Sequence, residues 1–210
     1  MRIRVIYSKT GSLRYTSNLD MQRIWERLLR RAELHITYTQ GFHPTPKLQQ
    51  GCPLPLGLTS RCEVVDFSID DEIVPLQLHE RLQQTVVPGI DILSIQPLPS
   101  NEPALVTHLH AAEYSIKVAA TPEQTRSLLM LMQTTSLVRE RRGKTYDLRP
   151  LIIDISSQAE IEDCTVFKVV LSSKNEATGR PDEVLSAAGI DPNIADIERS
   201  ALILSDGTRI

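Results

Sequence analysis

The chain has 210 residues, 41% of them hydrophobic, and a formal net charge of −3, a size that suits one large domain or two small ones. No apolar run approaches the roughly 20 residues of a membrane helix, and the first residues lack the apolar segment of a secretory leader, so a cytoplasmic protein outside any membrane is expected. The small net charge conceals an asymmetry: ten Lys/Arg against three Asp/Glu up to Arg61, then one against nine from Cys62 to Glu113.

Arg2–Ser8 alternates as a strand, with Ile3, Val5 and Tyr7 on one face. Ser17-Asn18-Leu19-Asp20 reads as a capping box, in which the Ser hydroxyl accepts an amide of the first turn and the acid bonds back. It opens a helix to about Ala32. Met21, Ile24, Leu28 and Ala32 form its expected inner stripe, and Arg23, Arg27, Arg30 and Arg31 fall on other faces. A strand is expected at His35–Thr39. Then comes Tyr38-Thr39-Gln40-Gly41-Phe42-His43-Pro44-Thr45-Pro46-Lys47, and later Pro53-Leu54-Pro55-Leu56-Gly57. Such Gly and Pro punctuation marks a built loop rather than a linker. Cys62–Ile69 predicts a strand, Pro75–Val86 a helix, and Ile90–Ile95 a strand closed by Pro97 and Pro99. The order β-α-β-β-α-β is that of a ferredoxin-like unit, placed at 1–98.

The Pro-rich stretch Pro97–Pro103 is the expected boundary. Beyond it, over 104–210, the order recurs. Glu113–Ala119 predicts a strand, and Thr121-Pro122-Glu123-Gln124 a second capping box opening a helix to Gln133. Leu137–Asp147 reads as a hairpin turning at Arg142-Gly143. Leu151–Ile155 and Thr165–Leu171 are strands, Pro181–Ala188 a short helix stopped at Gly189, and Ile197–Leu204 a last strand. The expected fold is α+β: two tandem ferredoxin-like (βαββαβ) units, the second with an extra hairpin.

A basic segment in an acidic chain points to a local anionic partner, unless the acidic segment neutralises it inside the fold. Arg23, Arg27, Arg30 and Arg31 offer planar forks suited to phosphate, and Arg14 and Lys47 flank them. Tyr38 and Phe42 offer faces for base stacking, with His43 beside them. Arg139, Arg141, Arg142, Lys144 and Arg149 form a second basic cluster, for which an ordinary exposed hairpin tip is the plain alternative. For the helix arginines the plain alternative is a solvated face with Glu26–Arg30 pairing, and for Phe42 it is core packing.

Catalytic sets are sparse. There is no Cys-x-x-x-Cys-x-x-Cys for an iron–sulfur cluster, no Walker loop and no Gly-x-Gly-x-x-Gly. Three scattered cysteines, Cys52, Cys62 and Cys164, form neither a disulfide framework nor a zinc pattern. His108-Leu109-His110 reads as a solvated linker before a metal site, and Cys52 as a thiol without an activating partner. His43 is the one candidate for acid–base chemistry. No cofactor and no metal are expected.

The runs Arg14-Tyr15-x-Ser17-x-Leu19-Asp20, Arg27-x-x-Arg30-Arg31-Ala32, Gly41-Phe42-x-Pro44-x-Pro46-Lys47, Pro55-Leu56-Gly57 and Glu63 resemble the radical-SAM-linked proteins, a bacterial family without an established activity. Asp147-Leu148-Arg149-Pro150 and Gly179-Arg180-Pro181 are similar to its later landmarks. The chain departs from the pattern at Asn18, His43 and Thr45, where the family has His, Asn and Arg. The resemblance implies a neighbouring or fused radical SAM protein of the cobalamin-binding type. It supplies a neighbour and not a reaction. Three functions follow as expectations. The first is a non-catalytic accessory module holding RNA, tRNA among the candidates, or a similar anionic substrate for that partner. The second is an RNA-processing or RNA-modifying enzyme using His43. The third is a protein–protein adaptor of the radical SAM enzyme.

Overall fold

Alternation of apolar and polar residues sets the first strand, β1 (Arg2–Lys9). It is followed by α1 (Asn18–Arg31), β2 (Leu48–Gln50), β3 (Thr59–Ser68), α2 (Pro75–Gln83) and β4 (Ile92–Leu98). The computed structural model describes residues 1–99, 101–141, 143–174 and 177–210. Ser100, in the expected boundary, and Arg142, in the expected basic hairpin, lie outside the described residues. The chain divides into two compact units, Met1–Leu105 and Val106–Ile210.

In the first unit β1 pairs with β3 and β4, and β2 with β3, all antiparallel, giving the order β4-β1-β3-β2. Ile3, Val5 and Tyr7 of β1 pack with Val65 and Phe67 of β3 against Met21, Trp25, Leu28 and Leu29 of α1 and Leu78 and Leu82 of α2. The Tyr7 and Trp25 rings meet edge-on at 4.8 Å between centroids, a preferred aromatic geometry.

Three local expectations are corrected. The inner face of α1 is centred on Trp25, with Ile24 half-buried at its margin. Positions 21, 25, 28, 29 and 32 fit a 3.6-residue period as well as the expected stripe does, and the large indole takes the middle. The second strand is Leu48–Gln50, not His35–Thr39; Ile36 and Tyr38 make single bridges, to Ile69 and Pro46. There the chain folds back on itself before it joins β3. Finally, β4 runs through Pro97, which faces Ile3 across the pair. It lies at the sheet edge, where a missing N–H costs no ladder bond. The cap of α1 also differs in detail. Ser17 Oγ accepts from the Asp20 amide at 3.2 Å and donates to the Asp20 carboxylate at 2.7 Å.

The second unit comprises β5 (Leu109–Val118), α3 (Pro122–Met130), β6 (Val138–Arg141), β7 (Lys144–Asp147), β8 (Ile152–Ile161), β9 (Cys164–Ser172), α4 (Pro181–Ala187) and β10 (Asp196–Leu204). Its long strands pair antiparallel in the order β10-β5-β9-β8. Counted within the unit this is fourth, first, third, second, as in the first unit. The hairpin β6–β7 is a separate two-stranded sheet. The Thr121–Gln124 capping box is complete, with bonds of 3.2 and 3.0 Å. β5 begins at Leu109, so His110 belongs to a strand and not to a linker. Among the described residues no helix is long and apolar enough to cross a membrane.

Candidate nucleic-acid interface

The inner face of α1 is committed to the core, so its arginines are turned outward. Arg23, Arg27, Arg30 and Arg31 are all exposed. Arg23 meets Asp20 at 3.2 Å, one turn away. An exposed pair of that kind stabilises little. No hydrogen bond or ion pair among the described residues holds the side chains of Arg27, Arg30 or Arg31. Glu26, the expected partner of Arg30, instead accepts from Gln22 Nε2 at 3.4 Å. Ile24, Leu28 and Val87 floor a hollow of about 320 Å³ between the three guanidinium stems.

Four carboxylates of the acidic segment are held elsewhere. Asp66 takes Arg2 at 2.7 Å and Arg4 at 2.8 Å. Asp91 accepts from the Ser8 hydroxyl at 2.8 Å, and Asp70 from the Thr37 hydroxyl at 2.8 Å. Asp71 accepts from the His35 amide at 2.7 Å and lies 2.8 Å from its Nδ1. That bond raises the His35 pKa above its ordinary value and lowers that of Asp71.

The segment from Thr37 to Lys47 is a closed hairpin-like loop. The Thr39 amide donates to the Thr45 carbonyl at 2.8 Å, and the Thr45 amide to Thr39 Oγ1 at 3.0 Å. The Lys47 amide donates to the Thr37 carbonyl at 2.8 Å, and the Lys47 carbonyl accepts from Ser68 at 3.0 Å. Gly41 at the tip has φ +139°, a conformation that side chains disfavour. Phe42 beside it is fully exposed, so core packing is excluded for it. Tyr38 and His43 are exposed too, and no side-chain bond among the described residues orients the His43 ring.

Other expected contacts have structural employment. Arg14 Nε donates to the Gly57 carbonyl at 2.6 Å, and the Gly57 amide returns to the Arg14 carbonyl at 2.8 Å. This clasp joins two of the sequence motifs. Arg149 donates to the carbonyls of Thr134, Ile152 and Met132 at 3.1, 2.9 and 2.8 Å. Arg139 meets Glu183 at 3.2 Å. Lys144 is exposed, and with Arg141 and Tyr146 it borders a hollow of about 810 Å³. Burial, first of all, pushes the Tyr146 hydroxyl up. Cys62 is buried, and Cys52 and Cys164 are partly so, none of them in a disulfide among the described residues. No cluster of three metal-ligating side chains occurs among the described residues.

The family model that matches the chain spans residues 2–181 and is described as "Uncharacterized protein conserved in bacteria (DUF2344)". The chain belongs to this family. No protein with a curated description matches it. Among solved structures, a crystal structure described as a "putative glycine cleavage system transcriptional repressor" is similar at 11% identity and a TM-score of 0.24, covering 84% of this chain and 82% of that one. A likeness at that level carries no functional argument. The sequence missed the Arg2–Asp66–Arg4 cluster, since nothing in the spacing says that residues 62 apart will pair.

Proposed function

We propose that this protein is a non-catalytic accessory module that holds RNA, tRNA among the candidates, or a similar anionic substrate for a partner radical SAM enzyme, on a scaffold of two tandem ferredoxin-like units. The fourth-first-third-second strand order of each unit supports the scaffold reading. The motif resemblance supports the partner. The observation that carries the RNA reading is the outer face of α1. There Arg27, Arg30 and Arg31 stand exposed with no carboxylate bonded to them among the described residues, although an acidic segment follows in the same unit. A guanidinium fork is suited to phosphate oxygens, and the bare Phe42 ring at a braced loop tip is suited to stacking on a base.

The hollow floored by Ile24, Leu28 and Val87 favours a second reading, a docking face for the partner protein itself. Titration of single-stranded RNA and tRNA at several salt concentrations separates the two. The log–log slope of affinity against salt reports the phosphates neutralised, and Arg27→Ala should flatten it by about 0.7–0.9. Absence of RNA binding at low salt, with the partner still captured, overturns the first reading in favour of the second. The catalytic reading of His43 is separated by turnover: RNA cleaved or modified by the pure chain, and left intact by His43→Ala, would replace the accessory role with an enzymatic one.

A further inference from the structure

The first unit also holds a pocket of about 490 Å³ that owes nothing to the arginines of α1. Thr39, Thr45, Pro46 and Lys47 of the loop, Gln49 of β2, Arg2 of β1, Asp66 of β3 and Ala104 line it. Its size falls within the roughly 300–1,000 Å³ of small-ligand sites. The segment before Ala104 is tied down. Arg2 Nη1 donates to the Glu102 carbonyl and Nη2 to the Pro103 carbonyl at 3.5 Å, so Glu102 meets Arg2 through its main chain.

The charge is out of balance. Asp66 is the one carboxylate among the lining residues, and it is shared. Arg2 Nη2 reaches Oδ2 at 2.7 Å, while Arg4, itself buried, takes Oδ1 and Oδ2 at 2.8 and 2.9 Å. Two guanidinium groups against one carboxylate leave a positive charge over. Lys47 adds a second, its ammonium exposed and bonded to nothing among the described residues. The Thr39 and Thr45 hydroxyls lie 3.2 Å apart. One proton can serve that contact, which leaves the other hydroxyl free to donate. Gln49 brings an amide bonded to nothing among the described residues, with one acceptor and two donors. Pro46 and Ala104 supply the apolar wall beside these groups, while the Leu48 and Phe67 side chains are turned into the core.

We infer that this pocket seats one nucleoside phosphate: the phosphate against Lys47 and the threonine hydroxyls, beside the positive Arg2–Asp66–Arg4 cluster, and the base against the apolar wall within reach of Gln49. Fixed cations and hydroxyl donors stabilise a dianion better than a neutral group, because charge-assisted bonds are the stronger ones. The same chemistry is offered by a free nucleotide and by the phosphorylated end of an RNA strand.

Calorimetric titration of the whole chain with the four ribonucleoside 5′-monophosphates and with the matching nucleosides tests it. At least one monophosphate binds, its nucleoside binds about tenfold more weakly or worse, and Lys47→Ala weakens the monophosphate by about tenfold at unchanged thermal unfolding. Gln49→Ala changes the ranking of the four bases, and Arg81→Ala, an exposed charge on α2 away from the pocket, changes nothing. Competition by short oligonucleotides with a terminal phosphate marks the site as a strand-end pocket; no competition marks it as a free-nucleotide pocket. Failure of every phosphorylated probe to bind overturns the assignment, as does equal binding of nucleotide and nucleoside, or indifference to Lys47→Ala. Mononucleotide binding without binding of long RNA sustains the pocket and removes the RNA reading of α1. Long RNA bound without any mononucleotide or phosphorylated end does the reverse.

Discussion

The two units carry basic clusters that look alike as strings of residues and differ in what the cations do. In the second, Arg149 is spent on three main-chain carbonyls and Arg139 on Glu183. In the first, Arg2 and Arg4 are spent on Asp66, while Arg27, Arg30 and Arg31 are left to solvent. Counting cations along a chain therefore says little about which of them can grip a ligand. A guanidinium that satisfies carbonyls or a buried carboxylate holds the fold together. One on the outer face of a helix whose inner face is full has no such duty.

The sharpest way to break this contrast is at Asp66. Asp66→Ala leaves Arg4 buried without its bidentate partner, and loss of one member of a buried pair costs about 3–5 kcal/mol. Urea unfolding measures it. A loss below about 1 kcal/mol would mean that water already screens the cluster, and the distinction between spent and unspent arginines would weaken. Next comes Arg149→Ala, which removes three charge-assisted bonds to carbonyls and should cost about 2 kcal/mol, against about 0.5 kcal/mol or less for Arg27→Ala. Thermal melts of the two variants decide it, and equal losses would erase the comparison.

The smallest effect belongs to the exposed His35–Asp71 pair. His35 titrates above its ordinary value because Asp71 bonds its ring, so its contribution to stability is full at low pH and disappears as pH rises through the raised pKa. Asp71 is depressed by the same bond, so its contribution is present above the ordinary carboxylate range and disappears as pH falls through the lowered pKa. The pair helps most between the two. An NMR titration should show the His35 pKa above its usual position and back at it in Asp71→Asn. No difference between the two proteins would show that this part of the acidic segment is not neutralised as described.

Much of the fold was legible. Both N-cap positions, the helix bodies and the mixed α+β character could be read because they rest on local periodicity and on short-range bonds from Ser17 and Thr121. Trp25 and the second strand were misjudged for a common reason. Two stripes fitted the same helical period, and the segment 35–39 had the composition of a strand, but the bonds between Thr39 and Thr45 draw it into a loop. Of the candidate site, Arg23, Arg27, Arg30 and Arg31 of α1 and the Phe42 ring lie exposed on the surface. Arg14 and Arg149 turned out to be clasps.

What the sequence determined by itself was the mixed α+β character, the start points of the capped helices and the concentration of basic charge before Arg61, because these depend on neighbours within a few residues. What tertiary structure alone decided was the allocation of that charge. Asp66 lies more than 60 positions from Arg2 and Arg4, and antiparallel pairing of β1 with β3 sets it against Arg4 across the ladder. That register sets the β1 arginines on Asp66, the packing of Trp25 and its neighbours turns the α1 arginines outward, and with Lys47 two positive charges are left over a pocket that no run of residues announces.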